Sequence, residues 1–401
     1  MKLGDICSKI GSGATPRGGK ESYKDSGTPI IRSQNVLDWS FSSDGLAYLD
    51  DEQACALSNV EVKPRDVLLN ITGDSVARAC IVPNEFTPAR VNQHVSILRT
   101  NSRSNPVFLL AWLQTNKPLL LSLASSGATR NALTKMMLEK LDINLPPIDV
   151  QERIAGIVLS IQSKIEANTK LNGYLAEQCE GIVEHQTGDV VALASLCGLA
   201  SERVDCREAD IATYVSTESL LPAKMGKQTA STLPQAGKVA VYKAGDTLVS
   251  NIRPYFKKIW YADRSGTCSG DVLVFRANQP EHAGYLYSCL RQDRFFDYVM
   301  KGAKGTKMPR GDKKQMLTYE IVNSPSAAAI GAIQTALEQI SIANKENDSL
   351  AALRDALLPK LMSGEIDVSK VDLTQLNSHL SKCSSGSCCI LPVMAALPAT
   401  K

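Results

Sequence analysis

Leu145–Gly181 reads LPPIDVQERIAGIVLSIQSKIEANTKLNGYLAEQCEG. Pro146 and Pro147 close an extended segment, and Asp149 stands three residues before Glu152, a capping-box-like helix start. Apolar residues follow at Ile154, Ile157, Val158, Ile161, Ile165, Leu171 and Leu175, which is helical, near-heptad spacing. Asn168 interrupts that stripe where an aliphatic residue would face a partner. A helix from Gln151 to about Gly181 spans roughly 45 Å at 1.5 Å per residue. That is long for a helix lying on one globular domain and suited to a spacer.

The same pattern returns in Ser326–Leu361, SAAAIGAIQTALEQISIANKENDSLAALRDALLPKL. With a shift of 176, Ile154 falls on Ile330, Ile157 on Ile333, Ile161 on Leu337 and Asn168 on Asn344. Both seams therefore carry Asn at the equivalent place. Two amphipathic helices, each on its own core, would explain the periodicity. A helix–helix coil explains the asparagines as well, since buried Asn sets register.

The repeat extends beyond the helices. Pro64–Ile71 resembles Ala244–Ile252, Val95–Arg99 matches Val272–Arg276, and Phe108–Leu113 matches Tyr285–Leu290. A near-constant offset across strand-like and helix-like segments predicts a mixed α/β (α+β) chain. The expected organisation is two globular domains, 1–145 and 186–325, two long antiparallel coiled-coil helices, 146–185 and 326–366, and a poorly ordered tail, 367–401. Strands are expected at Thr28–Arg32, Asp66–Ile71, Ala79–Val82 and His94–Arg99, followed by a helix over Pro106–Leu123. Their second copies are Thr213–Ser216, Asp246–Ile252, Lys258–Tyr261 and Asp271–Arg276, followed by a helix over Ala283–Met300.

The 401 residues are 44% hydrophobic and 21% charged, enough for more than one core, and the net charge of +3 says little about partners. No apolar leader opens the sequence and no apolar run matches a bilayer span, so a cytoplasmic protein is expected. The 11 cysteines show no paired metal spacing, and the four histidines are isolated. Free thiols are expected.

No familiar catalytic motif is present. Gly11–Ser22 (GSGATPRGGKES) fails as a phosphate loop, because Ala14 stands where the first glycine belongs and Glu21 replaces the Mg²⁺-binding hydroxyl. Asn144–Pro147 is not an adenine methyltransferase tetrapeptide, because Leu145 intrudes. Nucleic-acid chemistry remains. A Gly-bearing polar or basic loop precedes each long helix: SSGATRNALTK, with Arg130, Asn131 and Lys135, and KGAKGTKMPRGDKK, with Lys301, Lys304, Lys307, Arg310, Lys313 and Lys314 against Asp312 alone. Glycine lets backbone approach phosphate, and Lys/Arg release counterions there; the alternative is a solvated basic loop. Arg17 and Lys20 lie in the Gly-rich segment. Further candidates are Arg32, Gln34 and Asn35; Arg90, Asn92 and Gln93; and Asn251, Arg253, Tyr255, Lys257 and Lys258. Such side chains can read base edges, or can be structural polar residues in turns.

Several stretches resemble the specificity subunit of type I restriction-modification systems: SGATP (Ser12–Pro16), RDVLLNITG (Arg65–Gly73), VNQHVSILR (Val91–Arg99), and GATRNALTKMMLEKLDINLPPIDVQERIAGIV (Gly127–Val158) running into KIEANTKLN (Lys164–Asn172). GDTLVSNIRP (Gly245–Pro254) and LRDALLPKLMSGEI (Leu353–Ile366) echo it in the second half, where IVNSPSAAA (Ile321–Ala329) departs from the usual helix start. The resemblance covers nearly all of residues 1–366. It implies two target-recognition domains, each reading one half of a split, asymmetric double-stranded DNA target, with the helices pairing antiparallel about a pseudo-twofold axis. The helices would set the spacing and dock two methylation subunits, which restriction and translocation subunits join. It implies no cofactor on this chain, S-adenosylmethionine and ATP with Mg²⁺ belonging to the partners. Two other readings are weighed against it: a self-contained DNA methyltransferase or nuclease, and a helical scaffold that never touches DNA.

Overall fold

The computed structural model describes residues 1–125, 131–323 and 325–376, without the side chains of Lys20 and Glu21. The chain divides into two compact units, residues 1–166 with the described residues from 346 onward, and residues 167–345.

In the first unit a four-stranded antiparallel sheet runs in the order Cys7–Ser12, Val95–Thr100, Val67–Asn70, Ala79–Ile81. Its central strand is buried throughout, as a strand covered on both faces must be. Asp66, just before it, is 1% exposed and takes both guanidinium arms of Arg99 at 2.8 and 2.7 Å, plus the Lys63 N–H at 2.8 Å. A second sheet, Ala47–Leu49, Thr28–Ile31, Ala89–Val91, Glu61–Val62, contains one parallel pair.

The second unit repeats the first sheet strand for strand: Cys197–Leu199, Val272–Ala277, Thr247–Ser250, Ile259–Tyr261. It also repeats the clamp. Asp246 takes Arg276 at 2.8 and 2.6 Å and the Lys243 N–H at 2.7 Å. The internal repeat is therefore one of topology and of buried chemistry.

Several elements differ from the sequence reading. Thr213–Ser216 makes only a single bridge, Val215 to Cys268, because the Ser216 hydroxyl accepts from the Glu218 and Ser219 N–H groups and turns the chain. Cys7–Ser12 forms a strand that its Gly/Ser content does not advertise, recruited by Val95–Thr100 far along the chain. Pro106–Leu123 is two helices, Pro106–Thr115 and Lys117–Ser125, bent by 64°. Pro118 has no N–H to bond the Gln114 carbonyl four residues back, so the first helix does not run on through it. Ala283–Met300 is likewise Ala283–Arg291 and Asp293–Lys301, broken at the extended Gln292. Among the described residues no single helix is long and apolar enough to cross a membrane.

The long helices are Ile148–Glu184 and Ala327–Ser363, 37 residues each. The first starts ahead of the expected cap, so Asp149 lies inside its first turn. Gln151, 1% exposed, anchors that turn instead, donating to the Pro146 and Arg103 carbonyls and accepting from the Asn105 N–H. Ile154, Ile157, Val158 and Ile161 are buried in the first unit together with Leu350, Leu353, Leu357, Leu358 and Leu361, against Phe108, Leu109 and Trp112. In the second unit Cys179 and Val183 share a core with Ile333, Leu337, Phe275 and Phe295. Ile165, Leu175 and Ile330 are half-buried. Each half-helix is thus part of a domain core and of a helix pair at once.

Both pairs run antiparallel. In the first unit Lys164 meets Glu346 at 3.5 Å and Gln162 accepts from Arg354 at 3.0 Å, while the Arg354 guanidinium lies 4.6 Å from the Trp39 ring centre. In the second, Asn172 donates to Asn344 at 2.9 Å and Gln186 accepts from the Ser326 N–H at 3.1 Å. Leu171 is 51% exposed and leaves the seam. The seam advances in steps of three or four through Ile161, Ile165, Asn168, Asn172, Ala176 and Cys179, so Asn172 holds the place that the apolar pattern assigns to Leu171. Asn168 is buried, as expected of a seam position.

The segment after the second helix also differs from expectation. Ile366, Val368, Val371 and Leu376 are buried in the first core, and Leu373 lies so close to Gly156 that a Cβ there would fall 2.8 Å from it. The rest of the expected tail, 377–401, lies outside the described residues.

Changing Asn344 to Leu should cost about 1 kcal/mol, because the half-buried Asn172 amide loses its partner. Changing both Asn172 and Asn344 to Leu should recover that loss or exceed it, because apolar replacement of a buried polar pair removes both desolvation costs. Urea unfolding of the two variants beside the unaltered protein measures the difference.

Candidate nucleic-acid interface

In the first unit three separate stretches converge. The SGATP segment runs against the loop before Val95, with Gly13 N–H on the Val95 carbonyl at 3.0 Å and Ala14 N–H on the Val91 carbonyl at 3.1 Å. A Cβ on Gly13 would fall 1.8 Å from the Val91 oxygen, so only glycine permits this approach. Thr15 thereby bonds Gln93. Gln93 reaches the His94 ring at 3.3 Å, and the other ring nitrogen lies 2.6 Å from the Thr72 hydroxyl. The pre-helix loop closes the patch: Thr72 bridges Ala132, Leu133 N–H bonds the Ile71 carbonyl at 2.8 Å, and Gly73 N–H bonds the Asn131 carbonyl at 3.3 Å. Gln93, Arg17, Asn131 and Lys135 are exposed there or beside it in sequence, Lys135 with Glu139 3.5 Å away.

The second unit repeats the convergence with other side chains. Ile252 bridges Arg310, Arg253 N–H bonds the Pro309 carbonyl at 2.8 Å, and Gly311 N–H bonds the Asn251 carbonyl at 3.3 Å. Beside this seam lies a cleft of about 530 Å³ whose wall includes Ser216, Glu218, Arg253, Phe256, Lys258 and Met308. Lys258 donates to the Thr217 carbonyl at 2.6 Å, and its burial pulls the ammonium below the usual lysine range while Glu218 acts in the opposite direction. Lys301, Lys304, Lys307, Arg310, Lys313 and Lys314 are all exposed. The sequence set Asp312 alone against them, and the fold brings a second acid, Asp271, to 3.2 Å from Arg310. Asp312 holds Lys304 at 3.2 Å and caps Lys313–Leu317. Backbone N–H donation from Gln315, followed by Lys304, keeps its carboxyl below the ordinary range.

Not every candidate presents a free edge. Asn35 is fully buried, with its amide on the Ser42 and Asp44 carbonyls and its oxygen on the Arg32 N–H. Arg90 is buried on the Ala54 and Ala89 carbonyls with Glu61 at 3.4 Å. Asn92 is buried and accepts from the His94 N–H. All three are expected from the sequence to face DNA; the fold instead buries them, Asn35 and Asn92 in turns and Arg90 between its strand and the Asp51–Ala56 helix. Arg32 lies on Tyr23 and the Gly45 carbonyl, and Gln34 stays exposed. Lys257 pairs with Asp293 at 3.0 Å, and Tyr255 is exposed. Arg130 lies outside the described residues. Sequence reading passed over Thr15, Thr72 and His94. Their signal was present, since each sits inside a stretch that carries the resemblance. Among the described residues no group of His, Cys, Asp and Glu is arranged to hold a metal ion.

Asn35→Ala should cost about 2 kcal/mol, because the side chain that ties the Arg32 N–H and the Ser42 and Asp44 carbonyls together is lost from a fully buried position. Gln34→Ala, one residue away on the surface, should stay within about 0.5 kcal/mol. Thermal unfolding of the two variants separates a loop-building residue from a surface-facing one.

Comparison with known proteins gives the following. Residues 1–175 match the profile of the Type I restriction modification DNA specificity domain. Among solved structures, the type I restriction-modification S subunit from M. genitalium aligns at 14% identity over 90% of this chain and 95% of that one, with a TM-score of 0.46. The HsdS subunit from Thermoanaerobacter tengcongensis aligns at 15% identity over 91% and 96%, with a TM-score of 0.33. The stretch similar to a type I restriction modification DNA specificity domain is thus the first 175 residues, which bring the Gly13, Gln93 and Asn131 stretches together.

Proposed function

We propose that the whole chain is the non-catalytic DNA-recognition subunit of a type I restriction-modification complex, with one recognition unit for each half of a split target. The observation that carries this reading is the repeat. The second unit has a four-stranded antiparallel sheet with the strand order of the first unit's, the same Asp–Arg clamp, and the same return of the pre-helix loop to the turn after the central strand. A fold repeated with different exposed side chains suits two half-sites of different sequence. The exposed lysines of 301–314 supply sequence-independent phosphate attraction, and the side chains at each convergence supply base contacts. On this reading the helices set the gap between half-sites and dock two methylation subunits, restriction and translocation subunits join the assembly, and the protein works in the cytoplasm. S-adenosylmethionine, ATP and Mg²⁺ act on those partners. The missing catalytic motifs support this over a self-contained methyltransferase or nuclease, and the two basic or polar convergences support it over a scaffold without DNA.

Three outcomes follow. The purified chain should transfer no methyl group, and adenine methylation should appear once its partner is added; a rate from the chain alone would reverse the assignment. Lys307, Lys313 and Lys314 changed together to Ala should weaken duplex binding and flatten the slope of log K against log salt by about 0.9 per lost phosphate contact. Four residues inserted after Lys170 and four after Lys345 add about 6 Å to each helix. Methylome sequencing should then show both half-sequences kept and the gap lengthened by one or two base pairs, at about 3.4 Å each.

A further inference from the structure

The turn after the central strand is built on one backbone plan in both units. In the first, Asn70 N–H bonds the Arg78 carbonyl at 2.8 Å, and Gly73 and Ala77 adopt left-handed φ values of 75° and 69°. In the second, Ser250 N–H bonds the Lys258 carbonyl at 3.0 Å, and Arg253 and Lys257 take the same two places, both at 51°. The tips differ. Ser75 and the buried Val76 occupy the first, whereas Tyr255 and Phe256 occupy the second, 47% and 39% exposed, with ring centres 4.7 Å apart.

This pair is held out rigidly. Ala223 N–H bonds the Phe256 carbonyl at 2.9 Å and Lys224 N–H bonds the Lys257 carbonyl at 3.0 Å. Asp293 takes both Lys224 and Lys257 at 3.0 Å. Met308, 50% exposed, shares the wall of the cleft with Phe256. The cleft itself sets Arg253 and Lys258 against Glu218 and Asp271, and the positive charge beside it comes from the loop that carries Met308, with Lys304, Lys307, Arg310, Lys313 and Lys314 all exposed against Asp271 and Asp312. Exposed aromatic rings cost solvation, and non-glycine residues in the left-handed region cost backbone energy; both concentrate where a surface is used. Apolar side chains projecting from a basic surface match the way proteins unstack and kink a duplex.

We infer that Tyr255 and Phe256 form an apolar wedge that enters one base step of double-stranded DNA and unstacks it, in the half-site read by the second unit and not in the half read by the first. The inference rests on the DNA-recognition reading above. The apolar tip has the shape of a wedge, and the cations beside it fit a polyanion better than an apolar protein surface.

The test uses the chain assembled with its methylation subunits on its own target, once the methylome has identified it, with 2-aminopurine placed in turn at each position of both half-sites. Apart from the adenines that the methylation subunits themselves take out of the stack, fluorescence should rise several-fold at one step of one half-site only. Tyr255→Ser with Phe256→Val installs the first unit's tip on the same turn; it should abolish that rise and weaken specific binding about tenfold. Tyr255→Leu with Phe256→Leu keeps an apolar tip and should keep the rise. An unchanged rise in the Ser/Val variant would overturn the wedge, as would specific binding by the wild type with no rise outside the methylated adenines. If the Ser/Val variant instead loses its methylation subunits while the DNA signal persists, the tip is a protein-docking surface and the wedge is wrong. Absence of any specific duplex binding by the wild-type assembly would remove the recognition reading and the wedge together.

Discussion

Each long helix divides its buried face between two cores. Ile154 to Ile161 and Leu350 to Leu361 complete the first core, and Cys179, Val183, Ile333 and Leu337 complete the second. Neither core is closed by the residues of its own contiguous globular stretch. The first needs residues from Leu350 to Leu376, the last of which is fully buried. Long-range closure of this kind makes the helix pair a condition of folding for both units, since the apolar area that offsets chain entropy is assembled only when distant segments meet. It also accounts for the polar middle of the seam. Asn168 and Asn172 sit where the first helix passes from one core to the other, and a hydrogen bond to Asn344 defines register there at less cost in burial than deep inside either core.

Beneath the loop convergence of each unit the same charged clamp recurs. A buried aspartate before the central strand takes a bidentate arginine from the neighbouring strand, Asp66 with Arg99 and Asp246 with Arg276. Two parallel charge-assisted bonds plus a backbone N–H satisfy the carboxylate, so its burial is tolerated. The clamp fixes the strand from which the variable turn springs. Chemistry therefore changes at the tips while the base stays constant. The first tip is small and polar around Ser75; the second is aromatic and flanked by cations.

The sites show the same division between scaffold and tip. Asn35, Arg90 and Asn92 have the residue types that read bases, yet they lie inside and hold loops together. Gln93, beside Asn92, is exposed and linked to Thr15 and His94. Alternation between buried and exposed neighbours in a tight loop depends on where each Cβ points, and that direction follows from loop closure against other segments.

The sequence by itself determined the repeat, both long helices, the core strands Val67–Asn70, Val95–Thr100, Thr247–Ser250 and Val272–Ala277, and the basic loop over 301–314, because periodicity and composition are local properties. The family resemblance was also legible, in stretches that the fold later brings to one surface. Only the tertiary structure decided that Asn172 and not Leu171 holds the seam. Both lie within one helical step of Asn168, and the choice depends on Asn344 facing that position. It alone recruited Cys7–Ser12 as a strand, buried residues 366–376, set Asp271 against Arg310, and raised Tyr255 and Phe256 on a turn that in the other unit carries serine and a buried valine. In each case the deciding partner is remote in the chain, and pairing between remote residues is set by packing and loop closure, which no local pattern encodes.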